Sequence, residues 1–257
     1  MAEKQNRTKL SIVIPVLNEG ENLKVLLRIL RAVVDCSNEI LVVYDFEADN
    51  SIPVVKKFQK NYSNLRLVHN SLGRGVINAI KSGVKSAFGE YVLIIAADDI
   101  GSLLSINDMV SLMEEGCELV NGTRYAYHGK HIGGVFLSSL LSKSVNNLFY
   151  LLSSSSLTDP TLGVKMFKRT KFNELNLEAK PVGWAVSFEF AIKAQIAAWK
   201  LGEVPLVSLN RIYRKGKSSF KLKWLREYFK WFRFGVKKLP FFKSKSKVLV
   251  RIPSMLK

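Results

Sequence analysis

Apolar and polar positions alternate in blocks along the first half of the chain. Short β-branched apolar runs at Leu10–Val16, Glu39–Tyr44, Leu65–Val68 and Tyr91–Ala97 are bounded by polar residues and have the length of buried strands. Between them the period changes to about 3.6 over Glu19–Val34, Asp49–Lys60, Gly75–Ala87 and Ser105–Glu115, which predicts helices. In the first of these, Leu23, Leu26, Leu27 and Leu30 form one stripe, with Asn18 placed to cap it and Glu21 at capping-box spacing. Further strands are predicted at Glu118–Asn121, Gly163–Lys168 and Glu203–Val207, and a helix over Val135–Leu152 that runs into a serine loop at Ser153–Ser156. Strand–helix alternation predicts an α/β domain, Rossmann-like, with a mixed, mainly parallel central sheet flanked by helices. Such sheets bind ligands beyond the C-terminal ends of their strands, so the polar turns that follow the strands are the candidate site. The first of them, Asn18–Asn22, reads equally as an ordinary connection.

Charge divides the chain. From Arg211 to Lys257 there are 16 Lys/Arg and one acid, Glu227, so this stretch holds +15 of the total +18. Residues 1–210 are therefore read as the α/β domain and 211–257 as a basic aromatic segment. There, Trp224, Tyr228 and Trp231, with Leu225 and Phe232 beside them, fall at helical spacing among Lys223, Arg226, Lys230, Arg233 and Lys237. This predicts a basic amphipathic helix at an anionic membrane surface. A nucleic-acid backbone is the rival partner, and a helix packed on the domain with a solvated basic face is the plain alternative. Cys36 and Cys117 have no metal-like spacing, which points to a reducing compartment, and His69, His128 and His131 form no zinc pattern. The start, Met1–Arg7, shows no signal sequence, and Val135–Leu152 is broken by Lys143, Asn146 and Asn147, so no spanning helix is expected.

Three turns carry candidate chemistry. The second strand runs into Asp45-Phe46-Glu47; acids here suit a ribose or base edge, while Asp49 reads as a helix cap. Gly73-Arg74-Gly75 opens a helix, but Asn78 stands where a third glycine would complete a dinucleotide fingerprint. Its helix N-terminus and Arg74 still suit a phosphate. The fourth strand delivers Asp98-Asp99, a pair fit for a divalent cation on a diphosphate.

These segments, in this order and spacing, resemble family 2 glycosyltransferases, and most of all their dolichyl- or polyprenyl-phosphate mannose and glucose synthase branch. Val120–Tyr125 resembles the family's Gly-Ser-Arg-Tyr segment, Ser142–Asn146 its amphipathic acceptor-side helix, and Thr158–Gly163 its Asp-x-x-(Ser/Thr)-Gly turn. Phe188-Glu189 is similar to its late acid, Glu203-Val204-Pro205 to its Glu-Val-Pro strand, and Gly216–Phe220 to its Gly-x-Ser-(Lys/Arg)-Phe loop. The likeness covers about Leu10 to Trp231.

The resemblance implies a GT-A-type fold. It places Pro15, Glu19 and Asp45 at the donor's base and ribose, with Asn18, Glu47, Gly73, Arg74 and Asn78 completing the donor site. Asp98 and Asp99 would hold Mg²⁺ or Mn²⁺, with Asp98 also at the donor diphosphate. Arg124, Ser142, Arg211, Arg214, Lys217 and Ser218 would face the acceptor phosphate, with Asp159 and Glu189 near the transferred sugar. Several positions depart from the pattern. The family's Asp-x-Asp is Ala96-Ala97-Asp98, a metal-side polar position is Ile100, and the paired acids of the second strand are Tyr44-Asp45. Ser219 and Tyr213 stand where basic residues are usual.

The expected activity is inverting transfer of a hexose from a nucleotide sugar, of GDP-mannose or UDP-glucose type, to a polyprenyl phosphate. A polyprenyl phosphate is already an oxyanion, so attack needs no general base and the work is positioning and charge stabilisation. A cytoplasmic enzyme held peripherally at the membrane's cytoplasmic face follows, with no nucleic-acid partner; a membrane-protein partner is compatible with the chain. Two alternatives stand beside it. One is a saccharide hydroxyl acceptor, with Asp159 or Glu189 as base. The other is a degenerate, non-catalytic nucleotide-sugar-binding protein, favoured by the missing first metal acid at Ala96.

Overall fold

The computed structural model describes residues 8–133, 136–209, 224–242 and 247–256. Its first half follows the predicted alternation: β1 (Leu10–Pro15), α1 (Gly20–Val33), β2 (Asn38–Tyr44), α2 (Ser51–Gln59), β3 (Leu65–His69), α3 (Val76–Ser86), β4 (Tyr91–Ile94) and α4 (Ile106–Glu114). Then come β5 (Leu119–Thr123), β6 (Lys130–Ile132), α5 (Phe136–Ser153), β7 (Lys165–Lys168), α6 (Ala185–Ile196), β8 (Leu201–Pro205), β9 (Val207–Leu209), α7 (Leu225–Lys238) and β10 (Leu249–Val250). The main sheet has the order β10-β8-β5-β7-β4-β1-β2-β3, and β6 pairs with β9 in a second, two-stranded sheet. Every neighbour in the main sheet is parallel except β7, which runs antiparallel to both β4 and β5.

Side-chain alternation along the buried strands feeds two cores, one on each face. Leu10, Ile12 and Ile14 pack with Leu23, Leu26, Leu27 and Leu30 of α1 and with Met109 and Leu112 of α4. Val13, Leu41 and Val43 pack on the opposite face with Ile77 and Ile80 of α3, in a cluster that also holds Phe149, Phe188 and Trp231.

The start of α1 differs from the predicted cap. Asn18 takes a left-handed φ of 55°, Glu19 is the N-cap residue, and no side-chain cap bond forms there. The free N–H groups are taken by the next helix start instead: Asn18 donates to Asp49 Oδ2, Glu19 to Ser51 Oγ and Gly20 to Asn50 Oδ1. The two turns approach so closely that a Cβ on Gly20 would lie 2.7 Å from the Asn50 carbonyl oxygen. Asn50 is the N-cap of α2, and Asp49, predicted to cap it, stands one residue earlier and accepts the Ser51 N–H at 2.8 Å.

Helix α7, from the basic aromatic segment, packs against the α/β domain. Trp231 of α7 is buried, and a Cβ on Gly235 would lie 2.5 Å from the Phe149 ring. Phe232 meets Phe149 edge-on at 5.4 Å, and the Tyr228 hydroxyl accepts the Trp184 N–H at 3.1 Å. The aromatic stripe predicted to face a membrane thus packs inward on α5 and α6, because those helices present an aromatic face of their own. The described cations of α7, such as Arg226, Lys230 and Arg233, stay solvated. No described helix is long and apolar enough to cross a membrane.

Candidate active site

The turns after β1, β2, β4 and β5 gather at one edge of the sheet. Beyond β2, the Asp45 carboxylate accepts the Asn70 amide at 2.6 Å and the Gly75 N–H at 3.1 Å. Asn70 also donates to the Gly73 carbonyl, and Asn78 to the carbonyls of Leu72 and Gly73 at 2.9 Å. Gly73 and Gly75 have φ of +93° and +126°, which only glycine adopts without strain. The Arg74 guanidinium lies 5.2 Å from the Phe46 ring. Asp45 and Asn78 therefore shape the loop that opens α3 and carries Arg74 at the helix N-terminus, a setting that suits an anion. Nearby, Glu47 accepts the Tyr44 hydroxyl, Glu19 accepts the Asn22 amide, and Pro15 ends β1 in register with Val43.

Asp98 and Asp99 follow β4 and are half-buried. Burial pushes the Asp99 carboxyl up to about 6 and the Asp98 charge adds to this; the Ser102 hydroxyl, donating at 2.7 Å, and the Arg124 charge oppose it. Among the described residues no group of three or more His, Cys, Asp or Glu can hold a metal ion. Two adjacent carboxylates are too few for an all-protein cage. They fit a hard divalent ion that keeps most of its ligands from substrate phosphates.

Arg124 leaves the end of β5 and ties this edge to the second half of the chain. Its guanidinium forms a two-point pair with Asp159 at 2.7 and 3.0 Å, and its backbone N–H donates to the same carboxylate at 3.2 Å. Asp159 is fully buried. Burial opposes the Arg124 charge, but Asp159 more than offsets it, with Asp99 contributing, so the group stays cationic. Thr161 donates to Asp159, the Asn146 amide to Thr161 at 2.9 Å, and the Tyr125 hydroxyl to Ser142 at 2.9 Å. Arg124 thus stands between the Asp98–Asp99 pair and the inner face of α5.

A family description, glycosyl transferase family 2, matches residues 11–175. The chain belongs to this family. It is 28% identical over 223 residues to a dolichol-phosphate mannosyltransferase of Pyrococcus furiosus, spanning 86% of this chain and 61% of that one. It is 26% identical over 172 residues to a dolichyl-phosphate beta-glucosyltransferase of Trichomonas vaginalis, spanning 65% and 53%. The chain therefore matches less than two thirds of the length of either relative. Among solved structures, glucosyl-3-phosphoglycerate synthase of Mycobacterium tuberculosis, in complex with Mn²⁺, UDP-glucose and phosphoglyceric acid, is similar at a TM-score of 0.66 and 18% identity. That match covers 90% of this chain and 80% of the other, and shows a shared GT-A-type fold.

Of the residues the family resemblance singled out, the structure brings together Asp98, Asp99, Arg124, Ser142 and Asp159. Arg211, Arg214, Lys217 and Ser218 lie outside the described residues. Glu189 has a different task from the one expected. It is fully buried on α6, accepts the N–H groups of Glu178 and Ala179 at 2.6 Å, and pairs with Lys193 at 2.8 Å. Its carboxylate clamps the 178–180 segment.

Three residues near the site were given no role in the sequence, although Glu203 belongs to the Glu-Val-Pro strand. The Lys165 ammonium is fully buried and donates to Asn121 Oδ1 and to the carbonyls of Pro160 and Leu162; burial pushes it down to about 7. Glu203 accepts the Thr158 N–H and hydroxyl, and burial pushes its carboxyl up to about 8. Together they fix the Thr158–Leu162 turn that presents Asp159. His131 on β6 feels both Arg124 and Asp159, and burial, then the Arg124 charge, lower its basicity. Lys165 and Glu203 lie within predicted strands, where side-chain partners are invisible; charge on an otherwise apolar strand was the one sign for Lys165, and Glu203 had its Glu-Val-Pro motif besides.

Proposed function

We propose that the protein transfers a hexose from a nucleotide sugar to a polyprenyl phosphate with inversion at the anomeric carbon. The observation that carries this reading is the Arg124–Asp159 pair, a cation fixed at two points beside Asp98 and Asp99. Such a cation suits an acceptor that arrives as an anion, close to a second anion, the donor diphosphate. The names of the two relatives support a lipid-phosphate acceptor.

Arg74 and the α3 N-terminus bind the donor's phosphates, and Asp98 and Asp99 would hold Mg²⁺ or Mn²⁺. The chemistry such an ion would supply is charge stabilisation of the leaving nucleoside diphosphate. Arg124, held by Asp159, orients the acceptor phosphate for in-line attack, with Ser142 beside it. Lys165 and Glu203 keep the Asp159 turn in place. Glu189 acts at a distance, by clamping the 178–180 segment. No group has to remove a proton, because the acceptor oxygen is already charged. The reaction takes place at the cytoplasmic face of a membrane, where a polyprenyl phosphate presents its headgroup.

A saccharide hydroxyl acceptor is favoured by one feature, the weakly basic His131 beside Arg124, which would serve as base. The deciding experiment incubates the protein with Mg²⁺ or Mn²⁺, a short polyprenyl phosphate and labelled nucleotide sugars, and follows label into the organic phase. Transfer that is lost on chelation and unchanged in His131→Gln supports the lipid-phosphate reading. Transfer to a free sugar, abolished by His131→Gln, would replace it.

A further inference from the structure

Residues 178–184 belong to no helix or strand, and side chains meet their backbone N–H groups instead. Glu189 of α6 accepts those of Glu178 and Ala179, each at 2.6 Å. Glu227 of α7 accepts that of Lys180 at 3.1 Å, and the Tyr228 hydroxyl accepts that of Trp184. Both carboxylates are buried, and Glu227 also takes the Trp231 indole N–H at 3.0 Å. Displacing either acid would leave buried donors unmet, which holds both in place. The Lys180 carbonyl accepts the Val182 N–H at 2.7 Å, closing a tight turn over Pro181. Proline suits that crest, since it has no N–H to satisfy and its ring fixes φ. The course of this strap is thus dictated by α6 and α7.

The crest of the strap meets the loop that opens α3. A Cβ on Gly75 would lie 2.4 Å from the Cβ of Pro181 and 3.2 Å from its carbonyl oxygen. From another direction, Asp45 accepts the Gly75 N–H at 3.1 Å. Gly75 has φ of 126° and ψ of 155°, a region that essentially only glycine enters. Glycine also has the most backbone freedom to lose, so a loop built on it keeps one shape only when its surroundings hold it. Asp45 supplies one hold and Pro181 the other. Arg74 is the preceding residue and Gly75 is the N-cap of α3, so a shift of Pro181 would free both.

We infer that Pro181 and Glu227 are positioning residues for the nucleotide-sugar donor: Glu227 fixes the strap from α7, and Pro181 presses the loop at Gly75 into its donor-binding shape. This rests on the reading of Arg74 and the α3 N-terminus as the groups that bind the donor's phosphates. It gives α7 a task at the donor side of the reaction, although none of its own side chains is needed there. The effect is on donor affinity. A loop in its binding shape only a fifth of the time binds about fivefold more weakly. Binding lost equally from the bound donor and from the transition state raises the donor KM and leaves kcat nearly as it was.

The test reads the loop and the donor separately. Amide hydrogen exchange over residues 71–76 is followed in wild type, Pro181→Gly, Glu227→Ala and Glu227→Gln. Affinities for UDP-glucose and for GDP-mannose, each with Mn²⁺, are measured by calorimetry, and donor KM and kcat by label transfer. Pro181→Gly and Glu227→Ala are expected to exchange about tenfold faster in the loop. They should bind the nucleotide sugar that wild type takes about fivefold more weakly, with donor KM raised to match and kcat within about twofold. Glu227→Gln keeps an accepting oxygen and should restore both readouts. Pro181 is exposed, so its variant stays folded even where Glu227→Ala does not. Wild-type exchange and affinity in Pro181→Gly overturn the inference. So does faster exchange with unchanged affinity where Arg74→Ala weakens binding. If Arg74→Ala also leaves the affinity unchanged, or wild type binds neither nucleotide sugar, the donor reading of the loop fails and its ordering by the strap stands.

Discussion

Asp159→Asn separates what the buried pair does for the fold from what it does for transfer. The substitution keeps the shape and one acceptor oxygen but takes from Arg124 its paired counter-charge, leaving only the more distant Asp99, at a side chain only 15% exposed. Removing one partner of a buried pair costs roughly 3–5 kcal/mol. Here the guanidinium retains a little solvent, and the lower end, about 3 kcal/mol, applies. Domains are stable by about 5–15 kcal/mol, so the variant stays folded at 25 °C. For a chain of this size, about 2–4 °C is lost per kcal/mol, so the thermal midpoint should fall by roughly 6–12 °C. Arg124 also loses its two-point orientation, and a misplaced cation costs about 10²-fold in transfer. Calorimetry and the label-transfer assay are run on the same preparation. An unchanged midpoint would refute the claim that Asp159 neutralises Arg124. A lowered midpoint with full transfer would show that Arg124 orientation does not matter to the reaction.

Asp98→Asn should lower transfer by more than about a hundredfold while the thermal midpoint moves by less than about 1 °C, because the proposed task of this half-buried carboxylate is on the donor and its ion. Asp99 keeps its proton up to about 6, so the carboxylate that would bind the ion is lost as the pH falls below that value. The metal concentration giving half-maximal transfer should therefore rise about tenfold per unit below pH 6 and level off above pH 7. Asp99→Asn should flatten this dependence. Trp231→Ala should cost about 3–5 kcal/mol in urea denaturation, as expected for a buried Trp side chain, and a cost below about 1 kcal/mol would mean that α7 is not part of the core.

The first half of the fold was readable because each element is governed by local pattern: β1 to β4 and α1 to α4 all lie where their apolar periods put them. The capping of α1 was not readable, since Asp49, Asn50 and Ser51 serve it from some thirty residues away. The direction of α7's aromatic stripe was equally hidden. A stripe shows which residues share a face, and only the aromatic face of α5 and α6 decides whether that face turns inward. At the site, Asp98, Asp99, Arg124 and Asp159 were singled out through motif order, and the fold brings them to one place. Glu189 was misjudged because a buried acid that clamps backbone N–H groups looks, in sequence, the same as one that meets a sugar.

The antiparallel strand β7 has a consequence for how the chain is made. It is the sole link in the sheet between β4 and β5, pairing Leu93 with Met166 on one side and Val120 with Met166 on the other. Until residue 168 has been synthesised, β4 keeps an open edge whose sequence, Tyr91-Val92-Leu93-Ile94, is apolar throughout. An unpaired apolar edge is a template for association with other chains. Closure of the nucleotide-side half thus waits on a strand encoded some seventy residues downstream, and a nascent chain halted before Lys165 carries a sticky edge that the finished protein never shows.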